Sequence, residues 1–124
     1  MSRRMSCALT IDAVKERRKT VTRRHVDSWQ TLKPGDRLTL IEKGMGLPKG
    51  ATQAIIGEVE VVSVTVERLL TLTYSELERE GFQYGEPYTL RSWCDWWMIG
   101  HGYKPGDDPL CRRIEWRYLT ETPA

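Results

Sequence analysis

Residues 17–24 read Arg-Arg-Lys-Thr-Val-Thr-Arg-Arg, and five of these eight residues are cationic. The alternation from Lys19 onward, with two β-branched threonines around Val21, favours a β-strand that follows a short helix. Crowded positive charge disfavours a further proton, so we expect the neighbouring arginines Arg17, Arg18 and Arg23 to lower the pKa of Lys19. A neutral lysine can act as a base toward a hydroxyl group, and the same charge would attract a phosphate or a nucleic acid.

The charge of the chain is unevenly distributed. The 124 residues carry a net charge of only +2, but residues 1–24 hold eight Lys/Arg against two acidic residues, whereas the rest of the chain is net negative. This asymmetry favours a localised anionic partner, with a solvated basic face as the alternative. Hydrophobic content of 40% and charged content of 29% are ordinary for a folded protein. The length predicts one domain over residues 1–124, with its core at about residues 10–119.

The cysteines indicate neither a disulfide framework nor a metal site. There are three, Cys7, Cys94 and Cys111, and no CxxC pair, which suits a reducing cytoplasm. Cys94, His101 and Cys111 have a spacing that matches no usual zinc pattern. We therefore expect no metal and no cofactor. The chain also lacks a signal-peptide run and any stretch near 18 apolar residues, so we expect no membrane insertion.

The pattern along the chain predicts a small α+β fold. We expect helices from Thr10 or Asp12 to about residue 17, over residues 75–80, and from Pro87 to about residue 99. We expect strands over residues 19–24, 37–42, 54–66 and 111–119. Residues 1–6 are interpreted as a loose basic start, 44–50 as a hairpin connection and 120–124 as a tail. A compact, mostly antiparallel barrel covered by short helices fits these elements.

The ordered set of features resembles ASCH domains of the PUA-like superfamily. Residues 17–24 look like the signature G-x-K-x-x-T-x-R, and the similarity continues through residues 32–38, 58–66, 80–82 and 113–119. The overall pattern is similar to ASCH proteins encoded by phages and prophages. The sequence departs from the family pattern in two places. Arg17 replaces the signature glycine, and the segment 83–109 is longer and richer in tryptophan than in the small amidohydrolases of this family.

The resemblance implies a PUA-like pseudobarrel that handles RNA or modified nucleosides. One small bacterial branch of the family hydrolyses N(4)-acetylcytidine to cytidine and acetate with a lysine, a threonine and a glutamate. Matching the motif places these residues at Lys19, Thr22 and Glu80. The arginine of the signature falls at Arg24.

The chemistry of amide hydrolysis suits the same residues. Thr22 can supply a nucleophilic hydroxyl, Lys19 a base, and Glu80 a carboxylate that positions water or carries a proton. Arg24 or a backbone N–H could face the developing oxyanion. Residues three apart on a flat strand point to opposite faces. Lys19 and Thr22 can therefore meet only if the chain bends between them, or if Lys19 lies in the helix-to-strand turn, and we predict such a bend.

Aromatic residues provide further candidates. Trp93, Trp96 and Trp97 share one side of a helix, where they either pack the helix onto the barrel, the preferred interpretation, or stack on a base. Trp29 and Tyr84 are expected to contact the substrate. The leading interpretation is an amidohydrolase acting on an acylated pyrimidine nucleoside. A non-catalytic RNA-binding module and a single-strand ribonuclease that uses the same cleft are the alternatives.

Overall fold

The computed structural model describes residues 3–43, 50, 53–84 and 87–119. Most of the connection expected over residues 44–50, and the tail at 120–124, lie outside these residues. The strands are β1 (Arg3–Ser6), β2 (Val21–His25), β3 (Arg37–Ile41), β4 (Ile55–Arg68), β5 (Gln83–Tyr84), β6 (Pro87–Tyr88) and β7 (Leu110–Tyr118). The helices are α1 (Ile11–Lys15), α2 (Tyr74–Arg79) and α3 (Leu90–Gly100), with a 3₁₀ turn at Leu69–Thr71.

The main sheet has five strands in the order β1-β3-β4-β7-β2. Its pairs are antiparallel except for β1 and β3, which run parallel. The long strand β4 pairs with both β3 and β7, and a register shift between Val61 and Ser63 marks an irregularity that favours strand bending. The curled sheet forms a half-barrel with a few helices, so the predicted α+β, PUA-like pseudobarrel is confirmed.

Two apolar clusters hold the helices against the sheet. The first lies on the concave face of the half-barrel, where Val14 of α1 packs with Leu38, Val59 and Trp116. The second joins α2 and α3, with Leu77, Trp93 and Trp97 among its buried members. Trp97 also donates its indole N–H to the backbone carbonyl of Arg23 at 3.1 Å, which ties α3 to β2. The helix that carries the tryptophans is thereby fixed beside the basic strand β2.

The structure corrects two predicted elements. The expected loose start contains β1, whose Met5 is buried and pairs in register with Leu40 of β3. Pro87 lies in β6 and does not open a helix; α3 begins three residues later, after Thr89. The side-chain hydroxyls and backbone N–H groups of Thr89 and Ser92 form a reciprocal capping box there. The serine in place of the usual Glu or Gln made this helix start difficult to recognise.

Candidate active site

The helix-to-strand turn places Lys19 outside the strand. Helix α1 ends at Lys15, and Arg17 adopts a φ of 62°, in the left-handed region that favours glycine. The amide groups of Arg18 and Lys19 then both donate to the carbonyl of Ala13. Lys19 thus lies in the turn before β2, which is one of the two arrangements expected to let it approach Thr22.

Two side chains of β7 hold the main chain at this turn. Trp116 donates its indole N–H to the carbonyl oxygen of Lys19 at 2.9 Å, and the Tyr118 hydroxyl donates to the same oxygen at 2.5 Å. The carbonyl is therefore held by two donors from the neighbouring strand. This fixes the backbone from which the Lys19 side chain extends.

Glu80 reaches the same place from the end of α2. Gly81 follows it with a φ of +103°, and a Cβ there would lie 2.9 Å from the Ala13 Cβ. Only glycine lets the chain turn this close to α1. Lys19 Nζ donates to the main-chain carbonyl of Glu80 at 2.6 Å and lies 3.4 Å from its Oε1. The lysine and glutamate side chains are 4% and 3% exposed, so the ion pair is buried.

Thr22 and Arg24 lie two residues apart on β2 and contact each other. Arg24 Nε donates to the Thr22 hydroxyl oxygen at 3.2 Å, and its NH2 donates to the carbonyl of Ser6 at 2.8 Å. Thr22 is buried. Because Arg24 occupies an acceptor position of the hydroxyl, the proton of Thr22 stays free to be donated to a base.

The pKa of Lys19 is lowered, but the main cause differs from the expected one. Burial is the largest cause of its lowered pKa; the Glu80 carboxylate opposes the shift, and Arg24 adds to it. The arginines that were expected to lower this pKa, Arg17, Arg18 and Arg23, are not among its main causes. Arg17 lies over the Tyr118 ring, and Arg18 pairs with Glu16 at 2.6 Å.

The third of those arginines has a different environment. Arg23 is buried, and its guanidinium pairs with Glu67, Glu76 and Glu80 at 3.0, 2.6 and 3.1 Å. Its positive charge is therefore matched by carboxylates, not directed at Lys19. Nothing in the spacing of the sequence indicates these three partners, so Arg23 was missed as a site residue.

One cavity of about 280 Å³ brings the proposed polar residues together. Lys19, Thr22, Arg24 and Glu80 all line it. Its remaining wall is largely aromatic and apolar, and it includes Cys7, Leu9, Phe82, Trp93, Trp96 and His101. Such a concave space, with a few polar groups at one end, is typical of a small-molecule site.

The tryptophans of α3 contribute both to the apolar core and to the cavity wall. Trp93 and Trp97 are buried in the second apolar cluster and also line the cavity, whereas Trp96 is 39% exposed. His101 was missed by the sequence interpretation. It stacks on Trp97 with ring centroids 3.9 Å apart and donates from Nδ1 to the Trp97 carbonyl at 2.7 Å.

The two aromatic residues expected to contact substrate are placed differently. Trp29 is absent from the cavity wall; it packs against the first apolar cluster, beneath the guanidinium of Arg3 at 4.5 Å. The backbone of Tyr84 forms β5, and its side chain lies outside the described part of the chain. Among the side chains that the structure describes, the aromatic part of the cavity wall comes from α3, Phe82 and His101.

The described residues offer neither a metal centre nor a membrane-spanning helix. Within the described ranges, no group of three or more His, Cys, Asp or Glu residues is arranged to hold a metal ion. The described helices include none with the length and hydrophobicity needed to cross a bilayer.

Solved structures share the architecture of this chain, although no family model and no curated protein matches its sequence. Protein EF3133 from Enterococcus faecalis V583, described by the family model DUF984, superposes with a TM-score of 0.60 and 14% identity over 88% of this chain and 66% of its own. The ASCH domain from Lactobacillus crispatus JV V101 gives a TM-score of 0.55 and 12% identity, covering 89% of this chain and 70% of its own. The chain thus spans about two thirds of the length of each. At these identities the likeness concerns the fold, and the protein has the fold of an ASCH-like domain.

Proposed function

We propose that this protein is an amidohydrolase that removes the acyl group from an N(4)-acylated pyrimidine nucleoside, converting N(4)-acetylcytidine to cytidine and acetate. The observation that carries the proposal is the meeting of Lys19, Thr22 and Glu80 in one cavity. A hydroxyl, a buried amine with a lowered pKa and a carboxylate are the groups that amide hydrolysis through a covalent intermediate requires.

In the first half of the reaction, Lys19 Nζ takes the proton of the Thr22 hydroxyl as the threonine oxygen bonds to the amide carbon. The carbonyl oxygen becomes an oxyanion facing Arg24, whose guanidinium already contacts Thr22. The carbon–nitrogen bond then breaks, and the exocyclic nitrogen receives the proton from Lys19. Cytidine leaves, and the acyl group remains as an ester on Thr22.

In the second half, water attacks the ester carbon. Glu80 orients the water, accepts one of its protons and passes that proton to the threonine oxygen as the carbon–oxygen bond to Thr22 breaks. The carboxylic acid formed gives its own proton to the solvent. Acetate leaves and the starting state is restored. The base of the first half depends on a lysine that can lose its proton, and burial of Lys19 favours this neutral form.

The contacts of the basic stretch favour a small substrate over a nucleic-acid backbone. Lys19 and Arg23 pair with Glu80, while Arg24 binds the Ser6 carbonyl. Arg17 lies over an aromatic ring and Arg18 pairs with Glu16, as described above. Most of the positive charge of this stretch is therefore engaged inside the molecule, although phosphate binding needs free cations. This supports a nucleoside substrate over the RNA-binding and ribonuclease alternatives.

The apolar wall of the cavity suits the base of such a nucleoside. Trp96 is partly exposed and its ring centroid lies 5.8 Å from that of Trp93, while Phe82 meets both rings edge-on. Stacking of one base on an aromatic side chain contributes about 1–3 kcal/mol. A pyrimidine held there would present its N(4)-acyl group to the polar end of the cavity.

The test is to incubate the protein with N(4)-acetylcytidine and to measure cytidine by chromatography. Lys19→Met, Thr22→Val and Glu80→Gln should each remove nearly all product. Lys15→Met and Glu78→Gln are matched controls, because both residues are exposed on the adjacent helices, and they should retain wild-type rates. Absence of cytidine at high enzyme concentration, together with salt-dependent binding or cleavage of single-stranded RNA, would contradict the proposal.

A further inference from the structure

Arg23 is the centre of a buried charge cluster and is itself one of the residues that line the cavity. Its side chain is 1% exposed and it pairs with three carboxylates from different parts of the fold: Glu67 of β4, Glu76 of α2, and Glu80 at the end of α2. All three contacts use the terminal nitrogens of the guanidinium. The buried Nε has no hydrogen-bond partner among the described residues. A planar guanidinium with several fixed partners holds each of them in a defined direction.

The Glu80 carboxylate is divided between two cations. Its Oε2 accepts a hydrogen bond from Arg23 NH1 at 3.1 Å, and its Oε1 lies 3.4 Å from Lys19 Nζ. Lys19 makes its shorter contact, 2.6 Å, with the main-chain carbonyl of Glu80. Because Oε2 is committed to Arg23, only Oε1 remains on the side of Lys19.

The other carboxylates of the cluster are themselves anchored. Glu76 accepts from Arg113 Nε at 2.7 Å and from Arg79 NH1 at 3.2 Å, in addition to its bond with Arg23. The bond from Arg113 is the largest cause that lowers the pKa of Glu76 to about 2. Glu76 is thus ionised at neutral pH, and it holds the guanidinium of Arg23 through a contact of 2.6 Å.

We propose that Arg23 is a positioning residue of the hydrolase site, which holds Glu80 Oε2 so that Oε1 stays directed toward Lys19. The inference rests on the proposed function, and it adds a residue next to the signature arginine Arg24. By sharing the charge of Glu80, Arg23 also leaves Lys19 incompletely paired, which favours the neutral amine. The titratable and charged groups that face Lys19 are Glu80, Arg24 and Cys7, with the Tyr118 hydroxyl bonded to its carbonyl.

The first test is Arg23→Lys, which keeps the positive charge but replaces the fork by a single ammonium. One ammonium cannot hold three carboxylates in the same directions. We expect kcat to fall by about tenfold to hundredfold, because small displacements of reacting groups slow the chemical step. KM should stay within about twofold of the wild-type value. An unchanged kcat, or a loss confined to KM, would overturn the proposal.

A milder pair of variants covers the case in which Arg23→Lys does not fold. Glu67 and Glu60 both lie on β4, are 29% and 28% exposed, and each pairs with one arginine, Arg23 or Arg117. Glu67→Gln loosens Arg23 and should lower kcat severalfold without changing KM. Glu60→Gln makes the same change at a glutamate of similar exposure whose partner, Arg117, is on the surface, and it should leave kcat unchanged. Equal effects of the two variants would refute the role of Arg23.

A second readout does not depend on turnover. With ¹³C-labelled lysine, the Lys19 signal can be titrated by NMR and assigned with Lys19→Met. In Arg23→Lys the released Glu80 carboxylate can pair fully with Lys19, so Lys19 should lose its proton at a higher pH than in the wild type. Failure of the wild type to release cytidine would refute the proposed function alone; an unchanged Lys19 titration would refute the positioning role.

Discussion

Removal of the Glu80 charge should leave Lys19, and not Arg23, without a partner. In Glu80→Gln, Arg23 keeps Glu67 and Glu76 at 3.0 and 2.6 Å. Lys19 keeps only the carbonyl oxygen of residue 80 and has no other carboxylate among its described salt-bridge partners. The variant therefore isolates the energy of one buried ion pair within a larger cluster.

The geometry sets the expected size of the effect. Opposite charges 3.4 Å apart attract by about 5 kcal/mol at an effective dielectric constant of about 20, and burial offsets much of this energy. Breaking such a pair from one side costs about 3–5 kcal/mol, which is the expected loss in the free energy of unfolding for Glu80→Gln. Lys19→Met should cost less, about 1–3 kcal/mol, because Glu80 retains Arg23.

The double variant Lys19→Met/Glu80→Gln supplies the decisive comparison. It contains no unpaired ammonium, so it should be more stable than the sum of the single effects by about 1–3 kcal/mol. Urea denaturation followed by tryptophan fluorescence measures all four proteins, with equal m-values as the check on two-state unfolding. Additivity within about 0.5 kcal/mol would show that Lys19 and Glu80 do not interact, and the reasoning about the site would fail.

The pH dependence of the same cycle has a defined sign. The folded-state pKa of Lys19 lies below its ordinary value of 10.5, so between these two values the unfolded chain binds more protons than the folded one. The contribution of Lys19 to the free energy of unfolding therefore rises with pH across that window. The penalty of Glu80→Gln should shrink as pH rises toward the folded-state pKa of wild-type Lys19 and stay small above it, because a neutral amine needs no counter-charge. A penalty that grows toward pH 10.5 would contradict the assignment.

Three further predictions concern the turn, the charge cluster and the aromatic wall. Gly81→Ala should lower the free energy of unfolding by about 2 kcal/mol, because of its positive φ and its contact with α1, whereas Gly100→Ala, with open space around it, should not destabilise. The stabilising contribution of Glu76 is present above pH 4.5 and should be lost as pH falls toward about 2; acid denaturation of Glu76→Gln should lack this component. Trp96→Ala should raise KM by about fivefold to hundredfold, with the exposed Ile99→Ala as its control in the cytidine assay.

The parts of the site that the sequence predicted are those carried by local pattern or by resemblance. The helix, turn and strand around residues 11–25 follow from local patterning, and the parity of a strand correctly required Lys19 to lie off the strand or beyond a bend. Glu80 was placed by resemblance alone, and the structure puts it 2.6 Å from Lys19 through its carbonyl. Their convergence depends on Gly81, whose close approach to α1 no local pattern specifies.

Long-range contacts account for what the sequence did not predict. Arg23 finds its carboxylates 44, 53 and 57 positions away, so its role depends on how β4 and α2 pack against β2. Strand β1 is defined by its pairing with β3, and its sequence alone is basic and short. Trp29 was expected in the site because it follows the basic stretch closely, yet its φ of 60° and its contact with Arg3 place it against the first apolar cluster. Proximity in sequence was a poor guide to proximity in space at these positions.

The departure from the ASCH signature at Arg17 is compensated by contacts around the turn. A residue other than glycine in the left-handed region costs about 1–2 kcal/mol. The guanidinium of Arg17 lies 5.6 Å from the centroid of the Tyr118 ring, a cation–π contact that contributes about 0.5–1 kcal/mol at exposed sites. Tyr118 also bonds the Lys19 carbonyl, so one side chain both offsets the strain at Arg17 and fixes the residue that the turn must present. A glycine would relieve the strain but would give up the ring contact, and the position of Lys19 would still be set by β7. Arg17 in place of the signature glycine therefore leaves Lys19 in the cavity beside Glu80.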